Sequence, residues 1–183
     1  MNESQKRTFT TLGFATLIAA SAFFKHNLSF SPVPIVIQNM FPIFAGCMLG
    51  SIQGAASCGI VLALGMVGLP VFSGFTGGTL IIYGPTGGFL VGYFIAALIA
   101  GAIAGKPKSN HKHPVLRIFS AAIVGFLIIY ITGSLHFIRY FELPLSKETF
   151  ASVFEKCIKP FILGDCIKAA VVTILTISLK KYL

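Results

Sequence analysis

The sequence predicts an all-α integral membrane protein with six transmembrane helices, and three observations carry that expectation. The 183 residues are 55% hydrophobic, with a mean hydropathy of +0.87. From His26 to Gly105 there is no Asp, Glu, Lys or Arg, a stretch that holds several spans when about 18 uncharged apolar residues suffice for one. The apolar segments are hydrophobic all round, whereas the strands of a membrane barrel alternate apolar and polar residues.

The six spans form one domain over residues 1–183. The first, Phe9 to Phe24, is followed by Lys25-His26-Asn27 with no clear small-residue cleavage site, so it reads as a span and not as a removed leader. The second, Ile35 to Gly50, is short and contains Pro42, which predicts irregular backbone from Pro32 to Gln38 and a full helix only beyond it. The third, Ile52 to Leu69, opens into an uncharged loop from Gly68 to Gly88 that is rich in glycine and aromatics. That loop reads as a lid, with Phe72, Phe75 and Tyr83 offering flat apolar surface to a ring-shaped ligand. The fourth span runs from Thr86 to Gly105, the fifth from Val115 to Leu135 and the sixth from Phe161 to Leu179. Small residues recur at every fourth position, as in Gly46, Gly50 and Gly54, or Gly84, Gly88, Gly92, Ala96, Ala100 and Ala104, and such ladders let helices approach closely. Ala15 and Ala19 on the first span share this spacing and serve either the bundle or contact with another subunit.

An even number of spans puts both termini on one side, and basic residues choose the side. Lys6, Arg7, Lys106, Lys108, Lys112, Arg117, Lys180 and Lys181 fall on the side of the termini; Lys25, Arg139, Lys147, Lys156 and Lys159 fall on the other. The termini are therefore expected in the cytoplasm of a cell carrying the protein in its plasma membrane. The net charge of +9 comes from residues scattered at span ends, not from a basic stripe with interleaved aromatics, so nucleic acid is not an expected partner. Cys47, Cys58, Cys157 and Cys166 form no C-x-x-C pair, and His111-Lys112-His113 reads as a solvated basic turn, so no metal or other cofactor is implied. Gly84 to Gly88 is not followed by Gly-Lys-Ser/Thr, so it is no phosphate loop.

The chain's single aspartate, Asp165, stands with Lys168 in the last span. The i, i+3 spacing puts both on one helical face, and at 1.5 Å per residue they lie roughly 7 and 12 Å inward of Pro160. Ionisable residues at that depth face a bundle interior or a water-filled cavity, so the pair is read as a ligand site in preference to a self-satisfied ion pair. One aspartate does not make an aspartyl protease dyad, and no confident span supplies a histidine base, so an enzyme is disfavoured.

Four blocks then carry a family resemblance: Pro32-Val33-Pro34-Ile35 with Gln38, Gly68-Leu69-Pro70-Val71-Phe72, Gly84-Pro85-Thr86-Gly87-Gly88, and Pro160-Phe161 with Gly164-Asp165 and Lys168. In this order and spacing the chain resembles the BioY family, the biotin-specific substrate-capture subunits, or S components, of energy-coupling-factor vitamin transporters. The resemblance implies an S-component-type bundle with an outward-facing pocket for biotin. It implies as partners a membrane coupling subunit and two cytoplasmic ATPase subunits, docked in part through the small residues that Ala15 and Ala19 match. The pattern is not complete: Leu163 stands where proline commonly precedes Gly-Asp, and Val36-Ile37 replaces a common Thr-Leu.

Biotin presents two ureido N–H donors, a carbonyl, an apolar bicycle and a carboxylate. Asp165 suits the ureido N–H groups, and Lys168 suits either the carboxylate or the ureido carbonyl. Gln38, Tyr83 and Thr86 complete the expected polar set, with Phe72 and Phe75 over the rings. An S component for another small carboxylate vitamin, such as a lipoate-like acid, is the alternative that the same residues allow.

Overall fold

The computed structural model describes residues 2–105 and 114–180. The His111-Lys112-His113 turn and the basic residues Lys106, Lys108, Lys112 and Lys181 lie outside the described residues. The chain runs α1 (Glu3–Ala20), β1 (Lys25–His26), β2 (Ile35–Val36), α2 (Met40–Leu49), α3 (Ser51–Met66), α4 (Thr79–Tyr83), α5 (Gly87–Ala104), α6 (Pro114–Tyr140), α7 (Lys147–Cys157) and α8 (Ile162–Leu179), with single 3₁₀ turns at Ser21–Phe23 and Lys159–Phe161. Among the described residues, three segments are long and apolar enough to cross a membrane: Gly87–Ala104, Pro114–Tyr140 and Lys147–Leu179, the last containing both α7 and α8. The helices α2 and α3 are apolar but shorter.

Each of the six expected spans contains a helix, and the differences at their ends have local causes. The first begins six residues earlier than expected, at Glu3, where Gln5 Oε1 accepts the Asn2 N–H at 2.9 Å and holds the first turn. The threonines of α1 return their hydroxyls to its own carbonyls, Thr11 to Arg7 at 2.8 Å and Thr16 to Leu12 at 3.0 Å, so they need no other partner in an apolar setting. Backbone before Gln38 is irregular apart from the two-residue β2, as expected, but Pro42 does not interrupt α2. It occupies the third helical position, where a missing N–H breaks no intrahelical bond. At 27 residues, α6 extends about 40 Å at 1.5 Å per residue, longer than the fifth span expected from the sequence. The region His136 to Pro160, expected as a loop, contains α7, started by Ser146 Oγ accepting the Thr149 N–H at 3.2 Å. Phe150, Val153, Phe154 and Cys157 recur on it at helical spacing, with Val153 and Cys157 turned into the core.

Close approach of α2, α3 and α5 depends on the small-residue ladders. A methyl group on Gly46 would collide with the Ala97 carbonyl, and one on Gly54 with the backbone of Gly46. Gly101 in turn admits the backbone of Ser51. Gly50, at φ +85°, makes the reversal between α2 and α3 in a backbone region that side chains rarely enter. Farther along α5, Gly88 and Gly92 receive His136 and Thr132 of α6. Ala15 is buried within the chain's own core and Ala19 is half-buried against it. Ala15 thus serves the bundle, one of the two roles expected of it, while Ala19 keeps part of its surface uncovered.

Basic residues collect at the end where α2 turns into α3. Gln53 donates to the Arg7 carbonyl at 3.4 Å, the Arg117 guanidinium caps the Ile103 carbonyl near the end of α5, and Lys180 lies within electrostatic reach of Arg117. Cations at helix C-termini complement the partial negative charge there. The start of α8, with Asp165 and Lys168, belongs to the opposite end, as do the β1–β2 pair and the loop around Phe72.

Candidate ligand-binding site

A cavity of about 200 Å³ opens at that opposite end. Its walls draw on each block that carried the resemblance: Pro32, Val33, Pro34 and Val36 from the first, Phe72 from the second, Thr86 from the third, and Phe161, Asp165 and Lys168 from the fourth. Phe89, Leu90 and Tyr93 of α5, Ile129 and Tyr130 of α6, and Cys157 of α7 complete its apolar side. All four cysteines are free thiols.

Asp165 is 3% exposed. The partial positive charge of the α8 N-terminus favours its carboxylate, which lies in the first turn. Lys168 Nζ meets its Oδ1 at 2.6 Å, and the Tyr130 hydroxyl donates to its Oδ2 at 2.5 Å. The Asn39 amide donates to both oxygens, at 3.3 and 3.5 Å. Lys168 Nζ also donates to the Val36 carbonyl at 2.8 Å and to Asn39 Oδ1 at 3.0 Å, so its three N–H donors are all engaged. Three side chains thus converge on one carboxylate, Asn39 from the residue preceding α2, Tyr130 from α6 and Lys168 from α8, while the β2 carbonyl of Val36 holds Lys168 in place.

Such a cluster is poorly explained as a stability device. Desolvating two charges costs several kcal/mol per ion, and a well-packed apolar pair of the same volume is often as stable or more so. The network is satisfied, yet it stands beside a cavity and not within packed core. Asp165, Lys168, Asn39 and Tyr130 all line that cavity.

The remaining expected site residues fall in different places. Thr86 lines the cavity just ahead of α5. Phe72, 1% exposed, forms its wall, with its ring filling the space left by the missing side chain of Gly65. Gln38 does not line this cavity. It is 1% exposed and donates to the Ile18 carbonyl at 2.9 Å and the Val71 carbonyl at 2.7 Å, while its Oε1 accepts from the Ser73 hydroxyl at 2.8 Å. With its amide spent tying the end of α1 to the Phe72 loop, Gln38 positions the wall and does not touch the interior. Phe75, 61% exposed, and Tyr83, 69% exposed, stand outside the wall. Phe75 sits at φ +55° in the turn bridged by Phe72 and Thr76 and is not part of the cavity lining.

Asn39, Tyr130 and Tyr93 were missed by reasoning from sequence. A signal for the tyrosines existed: a hydroxyl in the middle of an apolar run, as in Ile128-Ile129-Tyr130-Ile131, needs a buried partner. Asn39 carried none, since its contact with Asp165 spans 126 positions.

Comparison with known proteins gives the chain's family and fold. The model of the BioY family matches residues 1–183. A probable biotin transporter BioY of Pyrococcus horikoshii is 35% identical over 154 residues, covering 84% of this chain and 85% of that protein. The biotin transporter BioY of Rhizobium etli is 34% identical over 170 residues, 91% of this chain and 88% of that protein. A crystal structure of the S-component for biotin from an ECF-type ABC transporter superposes with a TM-score of 0.83 at 27% identity, covering 99% of this chain and 95% of the other. From the match over its whole length and from these relatives, the chain belongs to the BioY family.

Proposed function

We infer that this protein is the membrane subunit that captures biotin for uptake by an energy-coupling-factor transporter. The observation that carries the reading is the buried Asp165, Lys168, Asn39 and Tyr130 cluster at the wall of an otherwise apolar cavity, in a chain of the BioY family. Biotin's ureido ring supplies the groups this cluster can exchange for. Its N–H groups donate to Asp165, whose charge-assisted hydrogen bonds are roughly twice as strong as neutral ones. Its carbonyl accepts from the Tyr130 hydroxyl or the Asn39 amide released in the exchange, or from a Lys168 N–H turned from Val36 or Asn39 while the ammonium stays on Asp165. Phe72, Phe89, Phe161 and Tyr93 enclose the bicycle, in keeping with pockets that are mostly apolar with a few placed polar groups.

In this reading α1, α2, α3, α5, α6 and α8 cross the plasma membrane. The end holding Arg7, Arg117 and Lys180 faces the cytoplasm with both termini, and the cavity faces outward. A membrane coupling subunit and two cytoplasmic ATPases supply the energy, and transport rather than catalysis is the chain's task.

Binding of radiolabelled biotin to the purified protein, with lipoate and unrelated vitamins as competitors, tests this assignment. Saturable biotin binding displaced only by unlabelled biotin is expected. Displacement by lipoate at equal concentration, or no saturable binding, contradicts it.

A further inference from the structure

Lys25 is the other cation that lines the cavity, and among the described residues its ammonium has no hydrogen-bond or ion-pair partner. Its placement is built and not incidental. The stem lies across Gly74, where a side chain on the glycine would strike Lys25 Cδ. Gly74 is itself held by its N–H donating to the Ala22 carbonyl at 2.6 Å. In the β1–β2 pair, Lys25 stands opposite Val36, whose carbonyl takes a hydrogen bond from Lys168. One short ladder therefore carries a free cation and anchors the cation that is already spent on Asp165.

Charge balance separates their tasks. Asp165 and Lys168 neutralise each other, and turning Lys168 toward an incoming carboxylate would strip a buried aspartate of its cation. A ligand with a polar ring and an anionic tail still needs one positive charge, placed where the cavity meets solvent. Lys25 is exposed, as a residue at that rim must be, and Asn27 lines the same wall two positions on.

We propose that Lys25 binds the carboxylate of the ligand's tail and makes the site select the free acid over uncharged derivatives. The proposal rests on the biotin reading above and assigns to Lys25 a task that would otherwise fall to Lys168. The test is equilibrium binding of biotin and of biotinamide, whose tail is neutral, to the purified wild type and to Lys25→Gln, Lys25→Arg and Asp165→Asn variants. The wild type should prefer biotin by about tenfold, the low end for a hydrogen bond to a charged group. Lys25→Gln should erase that preference by weakening biotin alone, Lys25→Arg should keep it, and Asp165→Asn should weaken both ligands together. A Lys25→Gln protein that retains the preference, or that loses both ligands equally, overturns the role of Lys25 while leaving biotin capture intact. A wild type that binds neither ligand removes the parent reading, and this proposal with it.

Discussion

At the end of the bundle where α2 turns into α3, helices meet backbone to backbone over Gly46, Gly54, Ala97 and Gly101. At the other end the chain leaves regular structure, and Asn39, Tyr130 and Lys168 direct polar groups at one carboxylate. The first region is repetitive and apolar, so any added atom is an intrusion. The second is irregular and polar, so any removed atom leaves an orphan. The contrast teaches that stability and binding are carried by separable sets of residues, and substitutions in each set should move different observables.

The largest separation is expected from Asp165→Asn. It removes the charge that the ureido N–H groups need, and biotin affinity should fall at least about a hundredfold in calorimetric titration, given roughly 1.5–3 kcal/mol for each hydrogen bond to a charged group. The variant should keep its helical circular dichroism, because Lys168 still has the Val36 carbonyl and Asn39 Oδ1. Tyr130→Phe deletes one hydroxyl bonded to Asp165; affinity should drop about tenfold, at the low end of the same range. Gly46→Leu should do the reverse. Overpacking costs about 1–3 kcal/mol, so the thermal midpoint in detergent should fall while the fraction that remains folded binds biotin with unchanged affinity. An equal loss of affinity in Gly46→Leu would break the separation between the two ends.

Much of the packing end was legible in the sequence because its signal is periodic. Glycine and alanine at every fourth position announce close contact wherever the neighbour turns out to be; Gly46 and Gly54 fulfil it there, and Gly88 and Gly92 do so farther along α5. The same spacing could not tell which side of α1 carries Ala15, because a small residue suits a core and an interface equally; here Ala15 faces the core. At the cavity end, Asp165 and Lys168 stood out because charge is costly in an apolar span. Phe72 and Thr86 lay in blocks of the resemblance and reached the wall. Composition could not distinguish Gln38, whose amide is consumed by two carbonyls and a hydroxyl, from a ligand contact. Phe75 and Tyr83 look identical to wall aromatics in sequence; the fold leaves both exposed and outside the cavity lining.

Two smaller effects sharpen that distinction. Gln38→Leu should leave the Val71 carbonyl unpaired at about 1–3 kcal/mol for a buried group, while the Ile18 carbonyl keeps the Ser21 hydroxyl, so thermal stability should fall more than a directly measured binding enthalpy changes. The smallest effect belongs to Phe75→Ala, which removes an exposed ring from outside the wall. Less than a twofold change in biotin affinity is expected in the same titration, and a tenfold loss would show that the Phe72–Thr76 turn folds over the ligand.

The most direct measurement is a structure of the protein with biotin bound. The account predicts the ureido ring in the cavity with its nitrogens about 2.7–3.2 Å from Asp165 oxygens, and with at least one of the Asn39, Tyr130 and Lys168 contacts to that carboxylate given up. Biotin seated elsewhere, or in the cavity with the Asp165 cluster unchanged and out of reach of the ring, would contradict it.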